Sequence, residues 1–144
     1  MIREASARIR CRGDRFVSAT HASTLEITRH DELTLNGDCI IGIDATCGAR
    51  DLPENVRSLL CNDDASIQTI LSCEGMKVEI NARGSSAFTL DHPTDMVWRR
   101  SGYVCGRTVA IYSDTTARNI PRNFIEALRK GCTMTVDFRV MVRD

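Results

Sequence analysis

Alternation of apolar and polar residues dominates the chain and predicts half-buried β-strands. In residues 134–142 an apolar side chain stands at every second position, and residues 5–12, 23–28 and 77–83 show the same pattern. A period of two is typical of strands that bury one face. With the less regular runs included, the pattern predicts eight or nine strands.

Two short segments carry helix signals instead. Residues 51–60 and 119–131 each hold a proline near the first turn and apolar residues at helical spacing. Asn36-Gly37 predicts a tight hairpin turn, and Glu74-Gly75 predicts another. Strands and helices do not alternate regularly, and we expect no internal repeat. The pattern therefore predicts a single domain over residues 1–144, a mainly β antiparallel or mixed β-sandwich with one or two short α-helices.

Composition narrows the class without naming an activity. The 144 residues are 42% apolar and 26% charged, with no net charge, as in ordinary globular proteins. No apolar run is long enough for a membrane span, and the first residues lack a signal-peptide pattern. The seven cysteines have no metal-binding or redox spacing. We therefore expect small core thiols in a cytoplasmic protein, no metal site and no membrane partner, and the cofactor stays unknown.

The basic residues are almost all arginine, with 17 Arg against two Lys, and residues 83–130 carry a net charge of +4. Guanidinium groups bind phosphate and carboxylate through two hydrogen bonds. Arg118 and Arg122 are predicted to share one helix face beside free amides. The predicted anion-binding residues are Arg99, Ser101, Arg107, Arg118 and Arg122. Pairing of these arginines with nearby carboxylates on an ordinary surface is the alternative.

Histidine and carboxylate side chains supply a second candidate site. His21 precedes a predicted strand whose polar side carries Glu26, and a hairpin would return Asp38 towards His21. His92 lies in the polar loop 91–95. Imidazole beside a carboxylate suffices for general acid–base catalysis. The tentative catalytic residues are therefore His21, Glu26, Asp38 and His92, with turn stabilisation as the alternative role.

Three functions remain open at this point. The first is a binding module for an anionic partner (a nucleotide, phosphate or RNA) through an arginine-rich face. The alternative is a small hydrolase-type enzyme that uses His21 and His92 with Glu26 or Asp38. The second alternative is a structural subunit of a larger assembly, with Met134 and Phe138 in an interface. The substrate and the oligomeric state stay open.

Several strings also resemble a known family. Residues 19–28 (ATHASTLEIT) and 33–43 (LTLNGDCIIGI), with the later segments 97–101, 107–111 and 117–122, are similar to a family of small archaeal proteins of unknown function. The resemblance covers nearly the whole chain. It implies a jelly-roll-like β-sandwich and an archaeal, cytoplasmic origin. It implies no catalytic residues, because the family has no established activity.

Overall fold

The computed structural model describes residues 1–34 and 36–144, so Leu35 of the second string lies outside the described residues. The first half of the chain forms β1 (Ile2–Arg12), β2 (Thr24–Thr28), β3 (Ile40–Gly42), a first 3₁₀ turn (Ala49–Asp51), α1 (Glu54–Leu60) and β4 (Ser66–Cys73). The second half forms β5 (Met76–Arg83), β6 (Asp95–Arg99), β7 (Thr108–Ala110), a second 3₁₀ turn (Ala117–Asn119), α2 (Arg122–Arg129) and β8 (Thr133–Arg143).

The first sheet is antiparallel and has the strand order β1-β8-β4-β5. Strict alternation of buried and less buried residues along β4 and β8 shows that only one face meets the core. The predicted hairpin at Glu74-Gly75 is confirmed, because β4 and β5 pair directly across this turn. Met134 and Phe138 are at most 1% exposed, so the prediction that they form an interface with another subunit is wrong.

The second sheet is mixed, with the order β3-β2-β6-β7. Its central pair, β2 and β6, is antiparallel, and each outer strand runs parallel to its neighbour. The predicted hairpin at Asn36-Gly37 is therefore wrong. The chain does turn there, but β3 then runs alongside β2 in the same direction, which a two-residue turn between paired strands does not allow.

The core lies between the two sheets. Trp98 of β6 packs edge-on against Phe138 of β8, with ring centroids 5.8 Å apart. The indole N–H of Trp98 donates to the buried hydroxyl of Thr69 on β4. Buried aromatic N–H groups need such a partner. The predicted mainly β, mixed sandwich with two short helices is confirmed.

The two halves of the chain repeat one structural unit, so the expectation of no internal repeat is wrong. Each half runs through a long strand, two short strands, a 3₁₀ turn, a helix and a further long strand. Both sheets keep this symmetry, because β4 and β8 lie together at the centre of one sheet and β2 and β6 at the centre of the other. The residue numbers of equivalent positions in the two halves differ by 71 up to β6 and by 68 from β7 onwards. The described residues form no helix that is long and apolar enough to cross a membrane.

Candidate arginine surface and buried carboxylate pair

Both predicted catalytic histidines stabilise turns, at equivalent positions of the two halves. His21 Nδ1 accepts the backbone N–H groups of Ser23 and Thr24 at 3.2 and 3.1 Å. His92 Nδ1 accepts the N–H groups of Thr94 and Asp95 at 3.2 and 2.9 Å. A backbone N–H can only donate, so Nδ1 is the acceptor and the proton of the neutral ring sits on Nε2. Neither Nδ1 has a lone pair left for proton abstraction.

The four residues of the predicted catalytic set are not brought together. His21 precedes β2 and His92 precedes β6, and these strands pair antiparallel. The histidines therefore lie at opposite ends of a five-residue ladder, separated by about 16 Å of strand. Asp38 does lie beside His21, but the contact is its backbone carbonyl, which accepts the His21 N–H at 3.2 Å. Glu26 belongs to a buried polar cluster, and His92 lies at the edge of that cluster, with its Nε2 3.8 Å from Asp95 Oδ2.

Three exposed arginines surround the second 3₁₀ turn. Arg118 is in the turn and Arg122 is the first residue of α2, so the prediction that both share one helix face is wrong. The Arg118 N–H donates to the His21 carbonyl, and the Arg122 guanidinium donates to the Ser18 and Ala19 carbonyls. Arg100 completes the group. We call Arg100, Arg118 and Arg122 the arginine surface.

The equivalent end of the first half has the same backbone geometry but different charges. There the third residue of the 3₁₀ turn, Asp51, accepts the Gly48 N–H and pairs with Arg29 at 3.1 Å. In the second half Asn119 takes this position and accepts the Thr116 N–H and the Arg100 guanidinium. The first helical residue changes from Glu54 to Arg122.

These substitutions give the two ends very different electrostatics. The equivalent positions Arg29, Arg50, Asp51 and Glu54 have no net charge, whereas Arg100, Arg118, Asn119 and Arg122 carry +3. At these four positions the second end is more basic than the first by three charges, and the fold itself does not require this difference. Ser101, also predicted to bind anions, follows Arg100, and its hydroxyl accepts the Tyr103 N–H.

The remaining two predicted anion-binding residues lie on the second sheet. Side chains of β2 and β6 that point away from the core include Glu26 and Asp95, which are 6% and 7% exposed. Arg107, just before β7, contacts both carboxylates through Nη1 at 3.5 Å. Arg99 of β6 donates to Thr108 Oγ1 and to Cys105 Sγ. We call Glu26, Asp95, Arg99 and Arg107 the sheet-face cluster.

The two carboxylates of this cluster have unlike surroundings. Asp95 Oδ1 accepts hydrogen bonds from the Thr28 and Thr94 hydroxyls at 2.7 and 3.0 Å. Burial, with the nearby Asp95 charge, raises the pKa of Glu26 to about 7, although the Arg107 and Arg99 charges oppose this rise. A buried acid with a raised pKa beside a second carboxylate and a guanidinium is typical of functional centres.

The other surfaces provide no comparable candidate site among the described residues. A recess of about 350 Å³ on the outer face of the first sheet holds Arg8 and Arg139. Arg8 pairs with Asp137 at 2.7 Å, and Arg139 pairs with Glu4 at 2.6 Å, so this face is neutralised. Within the described part of the chain, no three histidine, cysteine or acidic side chains converge as metal ligands. All seven cysteines are free thiols, of which only Cys11 and Cys73 are buried.

Sequence reasoning included Arg100 and Asn119 in the arginine-rich segment and Asp95 in the polar loop 91–95, but it missed the contacts that these three residues make. A signal for Asn119 was present. The strings ARDLPEN at 49–55 and ARNIPRN at 117–123 repeat one pattern, and their comparison shows both charge-changing substitutions. Asp95 is paired with Thr28, 67 positions away, and no local pattern indicates that contact.

Comparisons with known proteins identify a family of unknown function. The model of the family described as a domain of unknown function (DUF371) matches residues 9–141. The chain is also 43% identical over 123 residues to an uncharacterised protein of Methanocaldococcus jannaschii. That alignment covers 85% of this chain and 90% of the archaeal protein.

Proposed function

This chain belongs to the domain of unknown function family DUF371, whose description transfers no activity, and from the geometry we propose that it binds a phosphate-bearing partner through the arginine surface. A nucleotide, inorganic polyphosphate and RNA share the required chemistry. Binding places phosphate oxygens against Arg100, Arg118 and Arg122, whose planar guanidinium groups match them.

One observation carries this proposal, namely the charge contrast between the two equivalent ends. Both ends build the same 3₁₀ turn on the same capping contacts, so the fold accepts acidic residues at these positions. The second end nevertheless has three exposed guanidinium groups and no acid at the four compared positions. Three like charges in proximity repel one another and are favourable only when counter-ions or an anionic ligand neutralise them.

Binding is tested by titrating labelled single-stranded RNA and inorganic tripolyphosphate at low salt. We expect Arg118→Ala and Arg122→Ala each to weaken binding several-fold and to lower the salt dependence of log K by about 0.7 for RNA. Arg50→Ala is the matched control for Arg118→Ala, because it removes an exposed arginine from the equivalent turn. Absence of binding at low salt, or an equal loss in the control, would contradict the proposal.

No observation favours the hydrolase alternative in its histidine-based form. His21 and His92 have their Nδ1 atoms occupied by backbone donors. The acid with a raised pKa, Glu26, lies in the sheet-face cluster, where its charged neighbours are Asp95, Arg99 and Arg107.

A further inference from the structure

Arg107 makes only long contacts with the carboxylates of Glu26 and Asp95. Its contacts with Glu26 and Asp95 are both 3.5 Å, whereas a good charge-assisted hydrogen bond measures about 2.7–2.9 Å. The Arg107 side chain is 41% exposed, while those of Glu26 and Asp95 are 7% and 11% exposed. The guanidinium can therefore turn towards solvent, but the carboxylates cannot follow it.

The charges of the cluster decide when Arg107 can turn away. With both acids ionised, Glu26 and Asp95 balance Arg99 and Arg107, and the cluster is neutral. If Arg107 leaves in that state, two buried carboxylates lie close together without their shared counter-ion, which is strongly unfavourable. A proton on Glu26 removes one of these charges and leaves the cluster with a net charge of +1.

Glu26 is placed to take that proton. Its neighbours are Asp95 and Arg99 from β6, Arg107 from the segment before β7, and Cys39 from the segment before β3. The recorded contacts with Arg107 and Cys39 both involve Oε1. Among the described residues, no hydrogen bond engages Oε2, so this oxygen can hold a proton without losing a partner.

A second guanidinium completes the site. Arg99 lies over the Tyr103 ring at 4.9 Å and donates to Thr108 and Cys105. In the described part of the chain it has no carboxylate within ion-pair distance. Arg99 is therefore a fixed positive charge on the same face, and Arg107 is a mobile one.

We propose that the sheet-face cluster binds a small tetrahedral oxyanion between Arg99 and Arg107, and that Glu26 takes up one proton from solvent when Arg107 turns to the anion. This site goes beyond the arginine surface, from which it differs in its buried acids and in its size. The pKa of Glu26, raised to about 7, places the coupling in the neutral pH range.

Sulfate is the appropriate probe, because its charge is constant over this pH range, unlike that of phosphate. Sulfate titration followed by backbone amide NMR shifts, at constant ionic strength, gives a Kd and a location at each pH. For the wild-type chain we expect shifts around β2, β6 and β7, with a Kd that is constant at acid pH and rises about tenfold per pH unit above pH 7.

Two variants and a control sharpen the test. Glu26→Gln is neutral at every pH, so its Kd is expected to equal the wild-type acid value and to be independent of pH. Arg107→Ala is expected to lose the shifts at the cluster while retaining RNA binding at the arginine surface. Arg29→Ala, which removes an exposed arginine from an ion pair with Asp51, is expected to change neither.

Each contrary outcome has a distinct meaning. A pH-independent wild-type Kd, a pH slope that persists in Glu26→Gln, or an absence of shifts at the cluster at saturating sulfate overturns the proton-coupled site. RNA binding that survives any of these results leaves the arginine surface intact. Conversely, loss of RNA binding while the pH-dependent sulfate site is retained overturns only the proposal that the arginine surface binds a phosphate-bearing partner.

Discussion

Substitution of Glu26 by glutamine should change how the stability of the protein depends on pH. The side chain keeps its shape and can no longer ionise, so the variant isolates the effect of burying this carboxyl beside Asp95. The raised pKa of Glu26 means that the folded chain holds a proton which the unfolded chain has already lost between about pH 4.5 and 7.

The sign and size of the effect follow from this difference. A folded-state pKa above the unfolded one contributes stability that is complete at acid pH and is lost as pH rises through about 7. A rise from 4.5 to about 7 corresponds to about 3 kcal/mol in total. About 2 to 3 kcal/mol of it is lost between pH 5 and pH 8. The wild-type chain should therefore lose that much stability relative to Glu26→Gln over this interval.

Urea unfolding of both chains at several pH values measures the difference directly, because contributions from other groups cancel. Glu126→Gln is the control, since Glu126 is exposed on α2 and lies outside the cluster, and its pH profile should match that of the wild type. A gap between wild type and Glu26→Gln that stays constant within about 0.5 kcal/mol from pH 5 to 8 would refute the reasoning.

Four further variants test the fold and the arginine surface. Gly13→Ala should destabilise by more than about 2 kcal/mol, because a Cβ there overlaps the backbone carbonyl of the last turn of α2. Gly75→Ala, at φ +79° in open space, should cost only about 1 kcal/mol; equal losses in denaturant unfolding would contradict this. Trp98→Phe should cost about 2 to 4 kcal/mol by the same assay, because it leaves a buried threonine hydroxyl without its donor and creates a cavity. Asn119→Asp combined with Arg122→Glu copies the residues of the first-half end; it should abolish RNA binding and change stability by less than about 1 kcal/mol.

The local sequence pattern predicts the position of most strands, but it does not predict which strands pair with one another. The alternation along β4, β5 and β8 predicts strands where the structure has them. Asn36-Gly37 marks a real turn, yet the parallel pairing of β2 and β3 depends on where the chain crosses afterwards, which no dipeptide encodes. Both helices begin three residues later than predicted, at Glu54 and Arg122. Pro53 and Pro121 directly precede α1 and α2, and the residues before them form 3₁₀ turns.

The sequence predicts the residue types of the candidate sites, but it does not predict their burial or their contacts. An exposed arginine is recognisable from composition, and Arg118 and Arg122 were found in that way. Burial of Glu26 was not predictable, because its position on a polar strand face indicates solvent exposure unless another segment covers it. Arg107, 81 positions away, contacts Glu26 from above this face, and burial together with the Asp95 charge raises the pKa of Glu26 against the opposing charge of Arg107.

The internal repeat separates residues that serve the fold from residues that are free to serve something else. A role required by the unit itself should be filled in both copies, as it is by the Nδ1 atoms of His21 and His92. Such residues need no function beyond the turn. Glu26, by contrast, faces Val97, the equivalent residue of the other half, across the β2–β6 ladder. The valine shows that the unit folds with an apolar side chain at this position. The fold therefore does not require a buried acid with its own guanidinium here, and its burial is costly, which is the physical basis for proposing an anion site at this cluster.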